Sequence, residues 1–178
     1  MSPSKDIERA LRARIRDVPD FPKPGILFKD ITPVLLDAAL FRRATDAMAS
    51  AFAGDGITHV VAIESRGFLF GAPIAQQLAA GLVPVRKPGK LPHTSTRIEY
   101  ALEYGTDALE MHSDAVREGD RVLLVDDVLA TGGTARATCE LIERHDAKVV
   151  GCAFLIGLSF LPGLSALTGR RVETLVTY

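Results

Sequence analysis

Apolar residues in this chain gather in short runs separated by stretches of helical period. Runs at 59–63, 82–85, 122–125, 148–156 and 172–176 have the length and composition of buried strands. Between them, Leu40, Phe41, Ala44, Met48, Ala51 and Phe52 recur on one side of a helix predicted over 40–53. Helices are also predicted over 68–78 and 135–144. Ile7, Leu11 and Ile15 give a modest amphipathic helix over 6–16, which must pack on something. The stretch 19–25, PDFPKPG, suits neither a helix nor a central strand and is expected to be an ordered loop. A short extended piece at 26–31 follows, and Thr32-Pro33 opens a turn. Residues 91–99 are polar with no clear period and read as a mobile loop. Short strands are expected at 100–104 and 108–111, joined by Gly105. Residues 158–169, with Pro162 and two glycines, read as an irregular connection.

This alternation predicts an α/β fold, a mainly parallel twisted sheet with helices on both faces. At 178 residues the chain is expected to make one domain with a sizeable core. Ligands of such sheets bind at the carboxyl ends of the strands. That is where 64–67, 86–90 and 126–134 all fall.

Apolar residues make up 47% and charged residues 24%, a balance that excludes a disordered chain. The formal charge is −1 with no basic tract, which argues against nucleic-acid binding by broad phosphate neutralisation. Arg66, Arg86, Lys87 and Lys90 nevertheless cluster in the candidate site loops, a distribution that suits a small polyanion. Cys139 and Cys152 form no C-x-x-C pair and read as buried small hydrophobes in a reducing compartment. No apolar run is long enough to span a membrane, and the N-terminus does not open like a signal peptide.

The chemistry concentrates at 121–134, RVLLVDDVLATGGT. A buried strand is expected to stop at Asp126 and Asp127, turn through Thr131-Gly132-Gly133-Thr134 and enter a helix. Such a loop aims backbone N–H groups at one point, where the helix dipole also favours an anion. Neither G-x-x-x-x-G-K-S/T nor G-x-G-x-x-G is present. Two acids beside a phosphate loop suit sugar hydroxyls, or a metal–diphosphate, next to a phosphate.

This run resembles the phosphoribosyl diphosphate (PRPP) motif of the type I phosphoribosyltransferases. Residues 19–33, PDFPKPGILFKDITP, look like the N-terminal signature of the adenine phosphoribosyltransferase family, as do 64–71, 85–92 and 102–106. The resemblance spans about residues 6–157. It implies the type I phosphoribosyltransferase fold, with a base-binding hood at about 1–35 and a flexible lid at about 88–104. The implied reaction converts adenine and PRPP to AMP and diphosphate, in cytoplasmic purine salvage, by a homodimer with no nucleic-acid or membrane partner.

Carried over by position, Asp126 and Asp127 would hold the ribose hydroxyls, with Asp127 counted among the catalytic residues. The segment Val128, Leu129, Ala130, Thr131, Gly132, Gly133, Thr134 would complete the PRPP site, its N–H groups from Ala130 onward holding the 5′-phosphate. Arg66, Lys87 and Lys90 would face the diphosphate, Arg66 also serving catalysis, with Tyr104 as a lid contact on that side. Phe28 would stack on the purine, the Leu27 and Lys29 main chain would read its edge, and Leu158 would close the opposite face. Glu103 would bond N7 of the base. The expected metal is Mg²⁺, held mainly by PRPP and water rather than by side chains.

Two alternatives stay open at this level. One is a phosphoribosyltransferase for xanthine, orotate or uracil. The other is a non-catalytic PRPP- or nucleotide-binding regulatory protein, although no helix-turn-helix or basic face is evident.

Overall fold

The computed structural model describes residues 3–101 and 105–178. Its centre is a parallel sheet of β3 (His59–Ile63), β4 (Gly81–Val85), β7 (Arg121–Leu129), β8 (Lys148–Gly157) and β9 (Val172–Thr177), in the order β4-β3-β7-β8-β9. From β3 the chain moves outward to β4, whereas from β7 it moves the other way to β8 and β9. The direction therefore switches between β3 and β7, and a crevice opens there at the carboxyl edge.

One face of the sheet carries α1 (Pro3–Arg14), α3 (Ala38–Ser50) and α4 (Gly67–Gln77), whose Leu11, Met48, Phe70 and Ile74 bury against Val60, Leu123, Val125 and Leu155. Each such side chain contributes about 1.5–3 kcal/mol when fully buried. Asp37 starts α3 by accepting the Leu40 N–H at 3.0 Å. On the other face α5 (Gly133–Glu143) packs beside an antiparallel hairpin of β5 (Ser95–Ala101) and β6 (Thr106–His112). A helix and the hairpin thus share this face. Cys139 of α5 and Cys152 of β8 are fully buried in this layer, their sulfurs 3.8 Å apart.

Some elements differ from expectation. Strand β5 begins at Ser95, inside the stretch read as a loop without a period. Its period of two is real but short: Ile98 and Tyr100 are buried while Arg97 and Glu99 are exposed. The first helix ends at Arg14, and β1 (Arg16–Pro19) pairs with β2 (Leu27–Asp30) as a small antiparallel ribbon, fastened by Arg16 to Asp30 at 3.3 Å. The short helices α2 (Thr32–Leu35) and α6 (Gly163–Ala166) complete the set, α6 lying in the connection expected to be irregular.

Strand β7 does not stop at its acids but continues to Leu129. Its pairing with β3 ends at Ala62↔Val125, whereas its pairing with β8 runs on through Asp126↔Phe154 to Leu129↔Gly157. One edge of β7 is therefore unpaired from Asp126 onward, and the crevice begins there. Among the described residues, no helix is long and apolar enough to cross a membrane.

Candidate active site

The crevice holds a pocket of about 330 Å³ lined by Ile63, Glu64, Ser65, Arg66, Lys87, Leu109, Asp126, Asp127 and Thr134. The ends of β3, β4 and β7 and the start of α5 each supply part of it. Two glycines make the walls possible. A Cβ on Gly67 would lie 2.9 Å from the Asp126 carboxylate and 3.0 Å from the Val125 carbonyl, so only glycine lets α4 start against the acids. Gly132 has φ of +80°, and a Cβ there would meet Gly163 O at 2.8 Å. That left-handed residue leads into α5, which has no side-chain cap. Its first N–H groups thus keep their hydrogen-bonding capacity for a ligand.

The two acids are unequal. Asp127 is only 4% exposed, and its Oδ2 lies 2.6 Å from Arg66 Nε. Asp126 accepts the Asp127 N–H at 2.9 Å. Burial, and then the like charge of Asp127, push the Asp126 carboxyl well above the ordinary carboxylate range. Arg66 also reaches toward the ribbon, its guanidinium 5.5 Å from the centre of the Phe28 ring. Phe28 is held edge-on by Phe21, with ring centres 5.1 Å apart.

The basic residues carry acids of their own. Burial alone would raise the Glu64 carboxyl, but Lys90, the Lys87 N–H at 3.1 Å and Arg86 at 3.3 Å outweigh it and hold the pKa at about 2. Lys87 donates to Asp107 on β6 and, at 3.4 Å, to Tyr100 on β5. Burial would lower the Lys87 ammonium, yet Asp107 and Tyr100 raise it. Tyr100 in turn lies 3.3 Å from the Thr134 hydroxyl. Among the described residues, no group of three His, Cys, Asp or Glu side chains gathers to hold a metal ion.

Of the residues singled out from sequence, Arg66, Lys87, Asp126, Asp127 and Thr134 meet in this pocket. Lys90 stands behind it, bonded to Glu64. Val128 packs toward the core, Leu129 is buried, and Ala130, Thr131, Gly132 and Gly133 form the turn into α5. Leu27 is half exposed, whereas the Lys29 side chain turns away from the pocket toward Asp17, at 2.6 Å, and the Tyr178 ring, at 3.9 Å. Leu158 lines a separate small cleft with Leu129 and Leu164. Glu103 and Tyr104 lie outside the described residues. Reading the sequence missed Glu64, Tyr100 and Asp107. Glu64 has the same signal as Asp126, an acid at the end of an apolar strand. Asp107 has none, since its partner Lys87 comes from the loop after β4.

A model of the phosphoribosyl transferase domain matches residues 35–159. The adenine phosphoribosyltransferase of Myxococcus xanthus is 61% identical over 94% of this chain and 91% of its own length. The chain belongs to the adenine phosphoribosyltransferase family. Among solved structures of the family, the enzyme from Thermoanaerobacter pseudethanolicus superposes with a TM-score of 0.93 at 50% identity, covering 96% of this chain and 99% of that one. The Saccharomyces cerevisiae adenine phosphoribosyltransferase, complexed with an imino-altritol bisphosphate and adenine, gives 0.90 at 39% identity, with coverage of 96% and 99%. The five-stranded parallel sheet flanked by helices has the type I phosphoribosyltransferase fold.

Proposed function

We propose that this protein transfers the 5-phosphoribosyl group of PRPP to N9 of adenine, releasing AMP and diphosphate. The observation that carries the chemistry is the gradient across one pocket. Paired carboxylates sit between the uncapped start of α5 and the cations Arg66 and Lys87. The 5′-phosphate takes the N–H groups of Ala130–Thr134. The ribose hydroxyls bond Asp126 and Asp127. Arg66, by its fork, and Lys87, as a point charge, face the diphosphate.

Loss of diphosphate from C1 builds positive charge on the ring and negative charge on the leaving oxygens. Asp127, buried and fixed by Arg66, lies where it stabilises the first. The cations stabilise the second. Magnesium is the ion assigned; it neutralises the diphosphate oxygens when bound.

Adenine stacks on Phe28, and the Leu27 and Lys29 main chain reads its edge; the Lys29 side chain, committed to Asp17, supports that division. Leu158 covers the other face. Glu103 bonds N7 as N9 attacks, and Tyr104 contacts the diphosphate side. Residues 1–35 act as a hood and 88–104 as a lid that excludes water from the electron-poor ring. A homodimer in the cytoplasm belongs to the same reading.

Diphosphate release from PRPP, followed with adenine and with hypoxanthine, tests the assignment. Release with adenine and little with hypoxanthine is expected. No release with adenine would turn the reading toward a binding protein without turnover.

A further inference from the structure

The Lys87 charge is already matched. Its ammonium donates to Asp107, and the same carboxylate accepts the Tyr100 hydroxyl at 3.1 Å and the Ala108 N–H at 2.8 Å. Tyr100 and Asp107 face each other across the hairpin, and Tyr100 touches Thr134 of the phosphate loop at 3.3 Å. Lys87, Asp107, Tyr100 and Thr134 thus form one chain of contacts. It runs from the diphosphate side of the pocket, through the β5–β6 hairpin, to the start of α5.

Asp107 does not line the pocket that Lys87 lines; it draws the ammonium sideways, toward a neighbouring cleft formed with Pro88, Arg97 and Thr106. Lys90 is placed differently, because its partner Glu64 also holds Arg86 and the Lys87 N–H. Lys90 thus belongs to a three-residue cluster around one acid, whereas the Lys87 ammonium is held only by Asp107 and, at 3.4 Å, by Tyr100. Once Lys87 leaves, Asp107 keeps the Ala108 N–H and the Tyr100 hydroxyl, so its carboxylate is not orphaned.

We propose that Asp107 is an internal stand-in for the diphosphate: it holds Lys87, and an incoming diphosphate displaces it from the ammonium. The exchange releases the hairpin from the lysine while Tyr100 keeps it on Thr134. Asp107 is therefore a positioning residue that acts through Lys87, and it lowers the affinity of the site for polyanions. The inference rests on the diphosphate site proposed above.

Its sign separates it from a structural role. A residue that merely props up the fold can only weaken binding when replaced, but a competitor strengthens it. Titration calorimetry with magnesium diphosphate should show Asp107→Asn and Asp107→Ala binding about two- to fivefold more tightly than wild type, the range of a partly exposed ion pair. KM for PRPP should fall by a similar factor without a rise in kcat. In a Lys87→Ala background the gain should shrink toward nothing.

In the unaltered protein, the Asp107 carboxyl ¹³C resonance should move when magnesium diphosphate is added, a readout that needs no variant to fold. Unchanged or weaker binding in both variants, a gain that persists in full without Lys87, or a static Asp107 resonance would overturn the inference, provided wild type binds diphosphate. If wild type bound none, the diphosphate site itself would fall, and the inference with it.

Discussion

At the end of β3 the chain turns through Glu64 into α4, and β7 carries Asp126 and Asp127 in its last residues before the turn into α5. Both are strand–turn–helix units with an acid at the crevice, yet the acids are satisfied in opposite ways. Glu64 receives Lys90, Arg86 and a backbone N–H, which hold its carboxyl at about 2. Asp126 receives one backbone N–H and a like charge, and its carboxyl is pushed well up. A saturated acid holds a loop together and has little left to give a ligand. An under-satisfied one costs stability and keeps its lone pairs for something that arrives. By this measure Glu64 is scaffold, although its turn also carries Arg66 into the pocket, and Asp126 is site.

Several substitutions would break or sharpen that contrast. The largest effect is expected at Glu103, assigned to the base rather than to either turn. Glu103→Gln should slow single-turnover AMP formation by about 10- to 1000-fold while leaving PRPP binding nearly unchanged. An unaltered single-turnover rate would remove it from the mechanism. Next comes Asp127→Asn, which loses a charge-assisted bond to the ribose worth roughly 1.5–3 kcal/mol, or about 10- to 150-fold in kcat/KM for PRPP. Normal kinetics there would strip Asp127 of its role.

Glu64→Gln should act on the fold instead, costing about 1–3 kcal/mol and lowering Tm by about 2–10 °C. The pH dependence carries the same contrast. A carboxyl held at about 2 in the fold, against 4.5 as a reference, adds stability in full above about pH 5 and loses it as pH falls toward 2. Acid unfolding should therefore be shallower in Glu64→Gln than in wild type over that window, and equal slopes would deny Glu64 its scaffold role. The smallest effect is expected for Lys29→Ala. Preference for adenine over hypoxanthine should survive, because the main chain reads the base; loss of preference in competition assays would make the side chain the reader.

The β7 unit was legible in the sequence because strand, acids, glycines and helix are contiguous, so local chemistry and local structure coincide. The parallel sheet was legible for a related reason, since each strand is an apolar run flanked by helical period. The beginning of β5 was not, because Ser95, Thr96 and Arg97 are polar and their pairing with Glu110, Met111 and His112 depends on a partner strand. The ion pairs of Lys87 and Lys90 were hidden for the same reason. A lysine in a loop looks solvated until the acid opposite it is known, and Asp107 lies on another strand. The extension of β7 past its acids was equally invisible, since it depends on β8 outlasting β3 along that strand.

The contrast between the turns makes its most direct claim at Asp126. An acid whose carboxyl is raised in the fold takes stability away at neutral pH, because the unfolded chain ionises it more easily. Asp126→Asn should therefore raise Tm at pH 7 while lowering kcat/KM for PRPP by at least about tenfold, a gain in stability bought with function. Both quantities come from one preparation, by thermal melting and steady-state kinetics. A lower Tm with activity intact would contradict the account, making Asp126 part of the scaffold as Glu64 is.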